Sequence, residues 1–236
     1  MNWDEERLLA LEIDANYGLV PDPVPGRATL RDPSVLAVCA WSPRVRILAL
    51  APGLPRPASL DGIKQEYGPD RVPDALQRLA APLGGRSVSV EGGPCFVFPD
   101  RLTVPEPAPL PVITSTAEGR DAARDLVRPD NWQPDEWDEL IGGRMGEWAM
   151  AVHDREPVSI CFTPASNATA AEAGVWTRPD FRGKRLAPAV VAAWSERVRR
   201  TKPVLFYSTE ADNHASRSVA RALGLTPLGA IWTARR

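Results

Sequence analysis

The chain reads as a mixed α/β protein: a smaller α+β module, a proline-rich spacer, and a longer stretch in which strands and helices alternate. Three observations predict this. Apolar runs of strand length recur between amphipathic segments of helix length across all 236 residues. The segment "VPEPAPLP", Val104–Pro111, carries four prolines in eight residues, which excludes helix and central strand and favours an extended spacer. The stretch "WTRPDFRGKRLAPAVVAAW", Trp176–Trp194, sets a basic turn between an apolar strand and a clean helix. The expected organisation is therefore residues 1–103 as the α+β module, 104–111 as linker and 112–236 as the larger domain.

Element by element, "DEERLLALEI" from Asp4 reads as an amphipathic helix. "VLAVCAW" and "VRILALA" read as strands on either side of the turn "SPR". "DALQRLAAPL" is a helix, and "SVSV" with "CFVF" a strand pair folded around "EGGP". Past the spacer, "VITS" is a short strand, "AEGRDAARDLV" a helix, and "PDEWDELIGG" a helix stopped by its two glycines. "EWAMAVH" and "PVSICFT" form a hairpin across "DREP", whose residues suit a turn. "AAEAGVWT" is the strand before the basic turn, and a helix follows from about Lys184 to Arg200 with Leu186, Val190, Val191, Trp194 and Val198 on one face. Pro188 is tolerated there because it falls in the first turn. "VLFYST" is a buried strand, "NHASRSVARALG" a helix opening at the N-cap Asn213 and closing at Gly224, and "LGAIW" a last strand. From residue 112 the expected order is β-α-α-β-β-β-α-β-α-β.

Composition removes several classes of function. The formal net charge is -2, so no global basic field points to nucleic acid or an anionic membrane. Three dispersed cysteines and two histidines leave neither a disulfide framework nor a zinc-ligand spacing, and no metal is expected. The acidic, amphipathic start is unlike a secretory signal and no membrane-length apolar run occurs, so the expectation is a cytoplasmic, untethered protein. The 25 prolines and 17 glycines follow no period, which argues against a repeat architecture.

The basic turn carries the chemistry. "RGKRLA", Arg182–Ala187, lies between a strand and a helix N-terminus, where free N–H groups, the helix dipole and cationic side chains together suit a multiply charged phosphate ester. Neither G-x-G-x-x-G nor a Gly-Lys-Ser/Thr ending is present, which disfavours NAD and ATP. The bland alternative is a solvated helix start. Glu172, on the preceding strand, is a general-base candidate if burial raises its carboxyl, or else an exposed or cross-strand-paired acid. Trp132, Trp137 and Trp148 either line a pocket or pack a core, and Cys161 needs only a buried strand to explain it.

From about Val112 onward the chain resembles the GNAT acyltransferase superfamily, whose pyrophosphate turn reads Arg/Gln-x-x-Gly-x-Gly/Ala after a strand. Arg182 and Ala187 match its first and last positions, and "STEADNHASRSVARALGL" is similar to the family's following segment, with Asn213 opening the helix and Gly224-Leu225 ending it. The resemblance implies a GNAT-type splayed mixed β-sheet flanked by helices. It implies an N-acetyltransferase that passes an acetyl group directly from acetyl-CoA to an amine on a small molecule or a protein. It also implies that Gly174, Val175, Trp176 and Thr177 pair with the pantetheine amides, that Arg182, Gly183, Lys184, Arg185, Leu186 and Ala187 hold the pyrophosphate, and that Asn213 and Ser216 touch the cofactor. Glu172 would be the base and the N–H of Val175 or Trp176 the oxyanion donor.

Two positions depart from the pattern. Arg185 stands at the family's middle glycine and is expected in the first helical turn. Ala220 stands seven residues after Asn213, where many members place a tyrosine acid, so Tyr207, Ser208 or His214 would substitute, or the thiolate would leave unassisted. A non-catalytic CoA-binding regulatory module, and a scaffold that binds nothing, are the rival readings. The N-terminal module would complete an acceptor pocket, form a homodimer surface, or be a decayed second copy of the same fold.

Overall fold

The computed structural model describes residues 3–21, 27–54, 65–81, 88–102 and 108–236. The first part of the chain forms α1 (Glu5–Tyr17), β1 (Leu19–Pro21), β2 (Arg27–Leu30), β3 (Val35–Trp41), β4 (Arg46–Leu50), α2 (Asp74–Ala80) and β5 (Ser89–Val97). Then follow β6 (Val112–Thr114), α3 (Ala117–Ala123), α4 (Pro134–Ile141), β7 (Ala149–His153), β8 (Glu156–Ser166) and β9 (Ala170–Thr177). The chain closes with α5 (Leu186–Val198), β10 (Val204–Ser208), α6 (His214–Ala222) and β11 (Thr226–Arg235). This is a mixed α/β fold of mostly antiparallel strands flanked by helices, and from β6 onward the order is the expected one. Residues 104–107 of the expected linker lie outside the described residues.

The chain packs into two compact units: Met1–Val97 with Ser208–Arg217 and Thr226–Arg236, and Phe98–Tyr207 with Ser218–Leu225. This division departs from a simple boundary at 104–111, because the last strand folds with the first hundred residues. In the first unit the strand order is β1-β2-β4-β3-β11-β5, with β11 antiparallel to both neighbours, from Thr226↔Val97 to Arg235↔Ser89 on one side and Ala230↔Trp41 to Arg235↔Val35 on the other. Residues Leu228–Ala234 are all buried, the pattern of a strand covered on both faces. Ala230, Trp232 and Ala234 pack with Cys39, Trp41 and the α2 residues Leu76 and Leu79, while Leu9 of α1 covers Gly229 on the opposite face. Asp4 caps α1, its Oδ1 accepting from Arg7 N at 2.8 Å.

The expected hairpin around "EGGP" is instead the single strand β5. Gly92 and Gly93 do not turn the chain. They admit neighbouring backbone: a Cβ on Gly92 would overlap the Ile231 carbonyl, and one on Gly93 would meet Ala211 N at 2.5 Å. Strands β1 and β2 were not expected; they are three and four residues long and carry little alternation to read.

In the second unit the order is β10-β9-β8-β7-β6, antiparallel except for β9 with β10. The β7–β8 connection has Asp154 and Arg155 both in the left-handed region, at φ 48° and 68°, the geometry of a two-residue hairpin turn. Helix α5 buries Leu186, Val190, Val191, Trp194 and Val198, the face its spacing predicted. Arg197 on the same helix donates to Glu147 at 3.1 and 3.2 Å, and Trp194 Nε1 donates to Thr163 Oγ1 at 3.0 Å, tying α5 to the sheet. Trp132, Trp137 and Trp148 pack with Leu140, Met150 and Ile160, so core packing is their main role. Among the described residues, no helix is long and apolar enough to cross a membrane, and no group of three His, Cys, Asp or Glu could hold a metal. Cys39, Cys95 and Cys161 are buried free thiols.

Candidate functional site

The site is built on one strand whose two edges differ. Along one edge β9 pairs with β8 as far as Ser159↔Thr177. Along the other it runs parallel to β10 only from Val204↔Ala170 to Phe206↔Glu172. Beyond Glu172, residues Gly174–Thr177 have a strand partner, among the described residues, on the β8 side alone, and Ala173 falls at the register shift. A parallel pair that stops in mid-strand leaves backbone N–H and C=O groups able to pair with another extended chain. The β8–β9 register shifts between Phe162 and Ala165, and the site above Gly174 is filled by the Phe162 ring and Pro164, which a Cβ there would crowd at 2.9 and 3.1 Å.

Glu172 stands at the last paired position and is 4% exposed. Its charge, after burial itself, helps push the Cys161 thiol well above its ordinary value. Strand alternation puts Phe206 on the same face as Glu172 and Tyr207, which is 1% exposed, on the other face. An acid at Tyr207 and a base at Glu172 would therefore work from opposite faces of the sheet. Ser208 belongs to the first unit, as do Asn213 and Ser216. Asn213 caps α6, its Oδ1 accepting from Ser216 N at 3.0 Å. Ala220 is fully buried on α6 and offers no hydroxyl.

The strand leads directly into the basic turn. A 3-10 turn, Pro179–Phe181, buries Phe181, and three groups surround its ring: Arg178 at 4.4 Å, Lys184 at 4.2 Å and the His153 ring at 5.1 Å. Arg178 is neutralised by Glu156 and by Asp180, at 2.8 and 3.0 Å, and its hydrogen bonds hold the Asp180 carboxyl below its ordinary value. Phe181 and Arg178 were not among the residues singled out from sequence, although an aromatic within a run of charges is the signal that could have found this anchor.

The three remaining cations, Arg182, Lys184 and Arg185, are exposed. Arg182 Nε donates to Thr177 O at 3.3 Å, fastening the turn to the end of β9. Gly183 has φ 75° with open space around it. Arg185 corrects an expectation: it does not enter the first helical turn but precedes it in the left-handed region, φ 59° and ψ 21°, a conformation that glycine adopts far more readily than a residue with a Cβ. It makes no side-chain cap, no acidic residue lies in the first turn of α5, and Pro188 has no N–H. The N–H groups of Leu186 and Ala187 are thus left to an external acceptor at the positive end of the helix. Strand edge, cations and open helix start lie consecutively in one unit, and they fit an extended amide chain ending in a pyrophosphate.

Comparison with known proteins identifies the family. The acetyltransferase (GNAT) domain model matches residues 108–226, just over half of the chain. The chain belongs to the GNAT acetyltransferase family. Similar solved structures include a GCN5-related N-acetyltransferase-like protein from Streptococcus suis, 21% identical, covering 69% of this chain and 68% of that chain at a TM-score of 0.46. A GCN5-related N-acetyltransferase from Kribbella flavida is 16% identical and covers 98% of this chain and 95% of that chain at a TM-score of 0.48. No curated protein matches the chain.

Proposed function

We propose that the protein transfers an acetyl group from acetyl-CoA directly to an amine acceptor. One observation carries this reading: β9 loses its parallel partner after Glu172 and runs on, with no strand along that edge among the described residues, into an uncapped, cation-flanked helix start. When bound, acetyl-CoA supplies a thioester carbonyl open to attack by a neutral amine. The residues of this chain do the rest. The Ala173–Thr177 edge, including Gly174, Val175, Trp176 and Thr177, fixes the pantetheine arm through backbone hydrogen bonds. Arg182, Lys184 and Arg185 with the N–H groups of Leu186 and Ala187 hold the phosphates. The N–H of Val175 or Trp176 donates to the carbonyl oxygen as negative charge builds there. Glu172, buried at the point where the edge opens, takes the proton that an ammonium must lose, directly or through water.

With Ala220 at the position of the usual tyrosine acid, the sulfur leaves as a thiolate, which its low proton affinity permits. The same alanine favours the second reading, a CoA-binding regulatory module without turnover. Titrating acetyl-CoA calorimetrically, then following free-thiol release against a panel of amines, tests both. Arg182→Glu is expected to weaken acetyl-CoA binding at least about tenfold, and Glu172→Gln to leave binding intact while lowering kcat by about a hundredfold. Binding without turnover against any amine supports the regulatory module; no binding by the native protein overturns both readings.

A further inference from the structure

The second unit contains a cleft of about 420 Å³ between the end of α3 and the outer face of α4, a volume suited to a small ligand. Its floor is apolar. Trp137, 5% exposed, lines it with Leu126 and Ile141, and all three belong to or pack against the core cluster of this unit. One wall is held from behind: Val127 N donates to Arg155 O at 2.9 Å, and Arg155 donates to Asp125 O at 2.7 and 3.2 Å. The cleft is therefore shaped before any ligand arrives.

Its charges have a direction. Arg124, Arg128 and Asp138 are the ionisable residues that line it, two cations against one carboxylate. Arg128 donates through Nη1 to the Trp132 carbonyl, which orients the guanidinium and, among the described residues, leaves its remaining N–H groups for another acceptor. Among the described residues the Arg124 side chain pairs with Asp121 at 3.3 Å, and both side chains are more than 70% exposed, a pairing water already screens. An apolar lining beside a pre-oriented guanidinium matches a ligand with an apolar body and a carboxylate end.

We propose that this cleft binds a small carboxylate with an aromatic or branched aliphatic body, its anion on Arg128 and Arg124 and its body on Trp137, Leu126 and Ile141. The reading is independent of the one made for β9. Calorimetric titration of the full chain with 3-phenylpropionate, 3-phenylpropionamide and phenethylamine tests it. Saturable binding of the carboxylate is expected, with the amide and the amine at least about tenfold weaker. Arg128→Gln and Arg124→Gln weaken carboxylate binding, whereas Asp138→Asn tightens it by removing the one repulsive charge. Because Arg128 also holds the Trp132 carbonyl, the exposed Arg124 and Asp138 variants decide the matter if Arg128→Gln does not fold. The proposal is overturned if the carboxylate fails to saturate at low millimolar concentration, if the amide binds equally well, or if the Arg124 and Asp138 variants leave affinity unchanged.

Discussion

Arg185 shows how much one backbone angle decides. Its left-handed conformation is one that residues with a Cβ adopt at a cost of about 1 kcal/mol or more. Arg185→Gly relieves that cost and adds some chain entropy to the unfolded state, so a net gain of about 0.5 kcal/mol in urea unfolding is expected. The same substitution weakens acetyl-CoA binding if the guanidinium reaches a phosphate, and the two measurements separate conformational from electrostatic roles. The buried thiols make a second prediction. Burial pushes Cys39 from 9.0 to about 12, with Arg46 pulling the other way, and pushes Cys161 well above 9.0. Between those values the unfolded chain has released the thiol proton and the folded one retains it. Stability contributed by these groups is thus full below pH 9 and declines as pH rises from 9 toward 12, which chemical denaturation across that window would show. At this scale the sequence was informative where chemistry is local: Asn213 as a helix cap and Arg182 beside a helix start follow from neighbours in the chain. The burial of Glu172 and the separation of Tyr207 from it by the sheet were not legible, because both depend on which strand lies alongside.

Among the elements, β9, α5 and β10 match their expected spans closely, since period-2 and period-3.6 patterns are strong there. Strand β5 is the instructive difference. Its glycines suggest a turn, yet Gly92 and Gly93 serve the close approach of other backbone segments, with Ala211 N donating to Gly92 O at 2.9 Å and Thr209 N to Pro94 O at 3.1 Å. Gly92→Ala is therefore expected to destabilise the protein by about 3 kcal/mol, since the obstruction is the main chain of β11 and cannot rotate away. A thermal scan showing no change would restore the turn reading of that segment. The end of the β9–β10 pairing belongs to this scale too: the alternation of "AAEAGVWT" indicates a strand, while the residue at which its parallel partner departs is a property of the pair.

For the molecule as a whole, the consequential feature is that β11 is an interior strand of the first unit, paired along both edges. Residues 1–103 expressed alone would leave the facing edges of β3 and β5 unpaired and the apolar surface around Trp41 and Leu76 open. Such a fragment is expected to lack a cooperative unfolding transition by circular dichroism, and removing residues 226–236 from the full chain is expected to abolish the transition of the first unit. A folded 1–103 fragment would contradict this. By itself the sequence determined the element types from β6 onward, the basic turn and its helix, and the family they resemble, because each rests on residues within a few positions of one another. Only the tertiary structure decided that the last strand joins the first unit, that two glycines admit a neighbour rather than turn the chain, and that β9 opens after Glu172. Strand partnership here joins residues that are distant in the chain, from Ala170 with Val204 to Val35 with Arg235, and it is selected by the burial of both faces at once, which no local pattern encodes.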